Sequence, residues 1–181
     1  FPAGIHLDTL NADNISLMEE AGCYSVAVGV EFGSQRIHDL TKKRLSIELI
    51  EEKISLLSKS KIKLTGFFLM GIPGESKEDI LSTIDLALRL DIDRAQFNNF
   101  MPLPGSELWN TLIENNKLVD IDWDRFFVHD VAFVSDNNIS KNGLKRLQRI
   151  GYLKFYLRPK IIYNILKEIK SFRHFKMLIH R

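Results

Sequence analysis

LTGFFLMGIPGES, residues 64–76, joins a short apolar run to a Gly-Ile-Pro-Gly loop and then to a polar helix opening. An apolar run of that length suits a strand buried on both faces, and Glu75, Ser76, Lys77, Glu78 and Asp79 suit the first turns of a helix. The segment reads as strand, glycine loop, helix. Gly71 and Gly74 let backbone approach a ligand closely, and Pro73 stiffens the loop between them. The same residues also suit a plain strand-to-helix turn, so the neighbouring segments decide between the two.

Those neighbours repeat the unit. Ile5–Leu7 reads as a strand leading to an amphipathic stretch Ala12–Ala21, with Asn11 or Asp13 as cap and Gly22 as stop. Ser25–Val30 is a second strand, followed by Ser34–Leu40 and by Ser46–Ser60, where Ile47, Ile50, Ile54 and Leu57 recur at helical spacing. Lys63–Met70 is the third, its helix runs from about Lys77 to Leu90, and Arg94–Phe100 is the fourth. Regular alternation of this kind predicts a parallel sheet with ligands gathered at the carboxyl ends of its strands. The loops Gly29–Ser34, Gly71–Ser76 and Asn98–Gly105 all follow strands, so one sheet edge collects all three. Beyond Leu108 the pattern loosens. Trp109–Asn116 continues a helix, Val128–Val134 could add a short strand, and Ser140–Leu157 and Pro159–Ser171 read as two helices broken by Pro159. The organisation expected is an α/β partial (β/α) barrel with four or five parallel strands over 1–116, a linker over 117–139 and a helical extension over 140–181.

The 181 residues suffice for one core with a helical tail. No apolar run approaches the eighteen or so residues of a membrane span, and no basic-then-apolar leader is present, which together suggest a soluble cytoplasmic chain. Phe1 stands almost inside a strand-like segment, which suggests a piece of a longer protein. Cys23 is the only cysteine, so the sequence holds no internal disulfide and no cysteine cluster for zinc or iron–sulfur; its spacing suits a small buried side chain. Residues 1–140 carry 13 Lys/Arg and 22 Asp/Glu, whereas residues 141–181 carry 12 Lys/Arg and a single acid, Glu168. Such a basic tail can meet nucleic acid, an anionic membrane surface or the acidic body of its own chain.

GVEFGSQRIHDLTKK, LTGFFLMGIPGES and FNNFMPLPGSELW, in that order, resemble the second half of the radical S-adenosylmethionine barrel. The tail LKRLQRIGYLKFYLRPKII is similar to the end of members with an upstream cobalamin-binding domain, the group that includes the oxygen-independent magnesium-protoporphyrin monomethyl ester cyclase. The family's CxxxCxxC loop is absent. The resemblance thus implies a carboxyl-terminal half barrel, inactive alone. Its missing half would bind a [4Fe–4S] cluster, and its parent would use S-adenosylmethionine, with cobalamin possible, for 5′-deoxyadenosyl-radical chemistry such as methyl transfer or oxidative cyclisation.

The resemblance also implies a site. Glu31 would accept ribose hydroxyls, or else serve the start of the following helix. Lys43, twelve residues on, would meet the methionyl carboxylate, a part that Lys42 or Arg44 could take instead; a solvated basic turn is the plain alternative. Leu69 and Gly71 would line the adenine pocket or simply pack strand on helix. Gln96 and Asn98 share one strand face and would point into the barrel. Phe100 and Met101 would offer backbone and apolar contact near adenine, or fill core. Glu75 suits the helix start more than a ligand. His6, with Asp8, departs from the R-x-D-like arrangement of relatives; His6 is a candidate substrate contact or a structural histidine. No metal ligand is assigned. The expected partners are the rest of the parent chain and a small-molecule substrate, with no nucleic acid. A half barrel leaves strand edges and apolar interior open, which calls for self-association or cover from the tail. The competing reading is a basic-tailed module that docks RNA or a membrane, with Tyr152, Phe155, Tyr156, Tyr163, Phe172 and Phe175 among its positive charges, although apolar residues at helical spacing more often pack on a parent domain.

Overall fold

The computed structural model describes residues 1, 4–117, 123, 130–131, 133–134 and 139–169. Its sheet holds three parallel strands in the order β1 (Ser25–Glu31), β2 (Lys63–Met70), β3 (Arg94–Asn99). The crossovers are helical: α1 (Ala12–Glu20) enters β1, α2 (Gln35–Leu40) and α3 (Ile47–Leu57) join β1 to β2, and α4 (Lys77–Arg89) joins β2 to β3. Then come α5 (Glu107–Glu114), α6 (Lys141–Tyr156) and α7 (Pro159–Glu168). Local chemistry sets the boundaries. Asn11 caps α1 in a reciprocal box with Asn14, Ser76 does the same for α4 with Asp79, and Ser46, Ser106 and Ser140 cap α3, α5 and α6.

The strand expected at Ile5–Leu7 is much shorter. Only Ile5 pairs, through one bridge to Val28, and the described sheet has three strands instead of four or five. The reason is local: Gly4 turns the chain at φ 90°, and Leu7–Thr9 coil into a 3₁₀ turn closed by Leu10 N–H on the Leu7 carbonyl. Most of Val128–Val134 and everything after Ile169 lie outside the described residues.

Alternation along the strands separates two faces. Val26, Val28, Leu64, Phe68, Met70 and Phe97 point into one core shared with Ile50 and Ile54 of α3, Ile80 and Ile84 of α4 and Leu144, Leu147 and Phe155 of α6. Each such fully buried side chain contributes roughly 1.5–3 kcal/mol. Thr65, Phe67, Leu69, Gln96 and Asn98 fall on the opposite face and are only half-buried. That second face is the concave side of the arc.

The free edge of β3 is covered from within the chain. Phe97 N–H donates to the Tyr152 hydroxyl at 3.2 Å, and the Phe97 carbonyl accepts from Gln148 Nε2 at 2.8 Å and from Tyr152 at 3.2 Å. Tyr156 donates to the Ala95 carbonyl at 2.9 Å. Three side chains of α6 thus take the backbone positions that a further strand would occupy. The tail's charges also turn inward: Lys160 meets Asp91, and Glu168 joins Lys63 and Arg94.

Candidate functional site

Parallel strands put the ends of β1, β2 and β3 at one rim, and Glu31, Gly71 and Asn98 stand there together. Glu31 is the most unusual of them. The pairing of β1 with β2 slips between Gly29 and Glu31, and Glu31 adopts φ 68°, a left-handed conformation that costs a non-glycine residue on the order of 1–2 kcal/mol. The bulge swings the carboxylate back over Gly29, where a Cβ would come within 3.0 Å of Glu31 Oε1. Lys43 Nζ donates to the same oxygen at 3.3 Å. It reaches there because α2 ends in Lys42 at φ 56°, which lets Lys43 N–H close onto the His38 carbonyl.

The Glu31–Lys43 pair is the wall between two clefts. One, about 270 Å³, is lined by His6, Asp8, Gly29, Arg44 and Phe67 as well as the pair. The other, about 610 Å³, lies between the end of α2, the Gly-Ile-Pro-Gly loop and α5, with Leu69, Pro73, Phe100 and Thr111 on its walls. Register sets Phe67 beside Gln96 and Leu69 beside Asn98, so the two polar side chains continue the same face, with Gln96 Nε2 donating to Asn98 Oδ1 at 3.0 Å. Met101 is half-buried and lines neither cleft. Gly71 takes another part: it is buried at φ 86°, and a Cβ there would meet Leu144 of α6 at 2.5 Å. The space that Gly71 leaves is filled by α6, so its side-chain position faces a helix and neither cleft.

A polar frame, buried at Glu75, Asp79 and Thr83 and exposed at Arg36, holds these loops at fixed spacing. Gly33 lies against α4, where a Cβ would stand 2.2 Å from the Ser82 carbonyl oxygen, and its N–H donates to Thr83 Oγ1 at 2.9 Å. Arg36 spans the first loop and the second, donating to the Gly74 carbonyl at 2.9 Å and to Asp79. Ser34 donates to Asp79 at 2.6 Å. Burial pushes the Asp79 carboxyl up, but the Arg36 guanidinium and the Ser34 and Ser76 hydroxyls more than offset it and hold it well below the usual range. Glu75 corrects the expectation from sequence. It does not cap α4, a task done by Ser76 and Asp79; it folds back, buried, to accept from the Gly71 and Ile72 N–H groups. Burial raises its pKa to about 7 against the pull of those two donors. His38 is buried as well, with Nε2 2.9 Å from the Phe32 carbonyl oxygen, and desolvation lowers its pKa.

Of the residues expected from sequence, Glu31, Lys43, Leu69, Phe100 and His6 line these clefts, whereas Gly71, Gln96, Asn98 and Met101 line neither; Phe67 and the Arg36–Asp79 clasp were not anticipated. Phe67 was readable from its two-residue offset to Leu69. Nothing local announced that Arg36 and Asp79 would meet.

The rim can offer a half-buried carboxylate to paired hydroxyl donors, an ammonium to an anion, and apolar walls to a flat ring. These groups fit an adenosyl ligand. They do not fit an iron–sulfur cluster, because Cys23 is the sequence's only cysteine and precedes β1 at the end away from Glu31. The fold and rim define one arc of a parallel (β/α) barrel with two clefts at the carboxyl ends of its strands. The model of the radical SAM superfamily matches residues 2–87. A protein of Pyrococcus horikoshii described as an uncharacterized methyltransferase is 32% identical over 179 residues, 99% of this chain and 38% of its own length. The anaerobic magnesium-protoporphyrin IX monomethyl ester cyclase of Rubrivivax gelatinosus is 27% identical over 108 residues, 60% of this chain and 20% of its own. Among solved structures, the radical S-adenosylmethionine methyltransferase TsrM of Kitasatospora setae, with cobalamin and a [4Fe–4S] cluster bound, superposes with a TM-score of 0.57 at 17% identity, covering 78% of this chain and 29% of that one. Residues 2–87 thus belong to the radical S-adenosylmethionine superfamily, and the chain resembles its members. It spans well under half the length of these relatives.

Proposed function

We propose that this chain supplies one arc of a barrel that binds S-adenosylmethionine for radical chemistry on a small molecule, within a longer cytoplasmic protein whose other arc carries the cluster. The observation that carries the reading is Glu31: a carboxylate held in a strained backbone conformation at the wall of two clefts, with a lysine on it. Strain of that kind persists where the surrounding structure demands a particular side-chain position. Glu31 accepts the ribose hydroxyls, and Lys43 releases it to meet the methionyl carboxylate. Leu69 and Phe100 flank the adenine, Met101 adds apolar surface beside Phe100, and Gln96 and Asn98 present amides on the barrel face. Gly71 serves the site through its loop, by letting α6 seat beside it. His6, in the smaller cleft, faces substrate.

Bound beside a reduced cluster, S-adenosylmethionine supplies one-electron chemistry; the residues here bind it, orient it and keep water out. The methyltransferase and cyclase descriptions of the relatives, and the cobalamin in the TsrM structure, support methyl transfer or oxidative cyclisation with cobalamin as second cofactor. The complete coding sequence, reconstituted with iron and sulfide and reduced, is expected to release 5′-deoxyadenosine or S-adenosylhomocysteine from S-adenosylmethionine. Neither product from a protein with its cluster in place would overturn the reading.

A further inference from the structure

We infer that the outer surface of α6 and α7 is a docking face for an anionic lipid bilayer. On α6, Arg146, Arg149, Leu153 and Leu157 recur at intervals of three and four, which puts them on one side of the helix. That side is the one turned from the core, since Leu144, Leu147, Gly151 and Phe155 occupy the opposite side. Leu153 is 52% exposed, Leu157 65% and, on α7, Leu166 59%. Lys154 lies next to Leu153, and Arg146, Arg149 and Lys154 have no acidic partner among the described residues. The sequence as far as Arg181 adds more cations and no acid, and the one acid of the tail, Glu168, is occupied by Lys63 and Arg94 of the sheet.

Aliphatic side chains and uncompensated cations on one helical surface match the two layers of a bilayer interface, acyl boundary and anionic headgroups. Single-stranded nucleic acid needs a run of aromatic faces for stacking, and most of the tail's described aromatics are committed elsewhere. Phe155 is buried and Tyr152 and Tyr156 bond to β3, which leaves Tyr163, 58% exposed with Lys167 over its ring at 4.5 Å, as the single exposed aromatic among the tail's described residues. Because α6 runs from the rim, where Leu144 meets Gly71, to the base, where Tyr156 meets Ala95, the bilayer would lie along the flank of the arc and leave its concave face clear.

Vesicle co-sedimentation of this chain tests the inference, with mixed phosphatidylglycerol–phosphatidylcholine vesicles compared against phosphatidylcholine alone. Binding is expected on the anionic vesicles only, and to weaken with salt. The triple variant R146Q/R149Q/K154Q is expected to bind about a hundredfold more weakly, from about fivefold per cation near an anionic surface. The variant L153S/L157S/L166S is expected to lose binding at every salt concentration; all six positions are outside the core, so circular dichroism should be unchanged. Equal partitioning onto neutral vesicles, no partitioning at all, or a cation-depleted variant that binds like wild type would overturn it. So would salt-sensitive retention of random RNA that the leucine variant leaves intact alongside absent vesicle binding.

Discussion

Replacing Glu75 by glutamine isolates the one buried carboxyl that braces the Gly-Ile-Pro-Gly loop. Glu75 is 1% exposed, and burial lifts its pKa from an ordinary 4.5 to about 7. Below the lower value the carboxyl is protonated in both folded and unfolded chains, so its contribution to stability is complete. Between the two values the unfolded chain releases the proton while the folded chain keeps it. Unfolding is then favoured by about 1.4 kcal/mol per pH unit, or about 3 kcal/mol across the window. Above about 7 both states are ionised and the loss is complete. The glutamine of E75Q keeps an amide carbonyl for the Gly71 and Ile72 N–H groups and has no charge to desolvate. Urea unfolding of both proteins from about pH 4 to about pH 8 measures the effect. His38, whose lowered pKa costs stability as acid rises, is common to both and cancels in the difference. The wild type should lose about 3 kcal/mol relative to E75Q between pH 4.5 and 7. Stability curves that run parallel through this range would refute the account of the loop.

Two further substitutions examine the frame. G33A should lower stability by about 1–3 kcal/mol or more, read by thermal unfolding, because the new Cβ must displace α4 backbone and not a movable side chain. Q148A/Y152F strips the Phe97 carbonyl of both α6 donors, which should cost about 1–3 kcal/mol and shift the protein toward self-association in sedimentation velocity as the β3 edge opens.

Much of this arrangement is legible in the chain's own order of residues. Lys63–Met70 is the strand its apolar run implies, and Ser46, Asn11 and Gly22 bound helices as their types suggest. Periodicity carries such features because each depends on neighbours within a few residues. What it does not carry is the identity of a distant partner. Ile5–Leu7 has strand composition, yet the turn after it wins. Gly71 reads as space for a ligand, yet that space belongs to Leu144, which lies far along the chain. Cover of the open edge by the tail was expected, but not that Tyr152 and Tyr156 would supply it by bonding to the Phe97 and Ala95 carbonyls of β3. The site follows the same division: the family resemblance singled out Glu31 and Lys43 but not their pairing, and the Arg36–Asp79 clasp joins two helices that only folding brings together.

The affinity of the reconstituted full-length protein for S-adenosylmethionine, measured by equilibrium dialysis for wild type and Glu31→Gln, tests the central claim most directly. Hydrogen bonds to a charged acceptor are worth about 1.5–3 kcal/mol, so the substitution should weaken binding by about 10- to 150-fold with folding intact. Equal affinity in the two proteins would show that the rim at Glu31 does not hold the ribose.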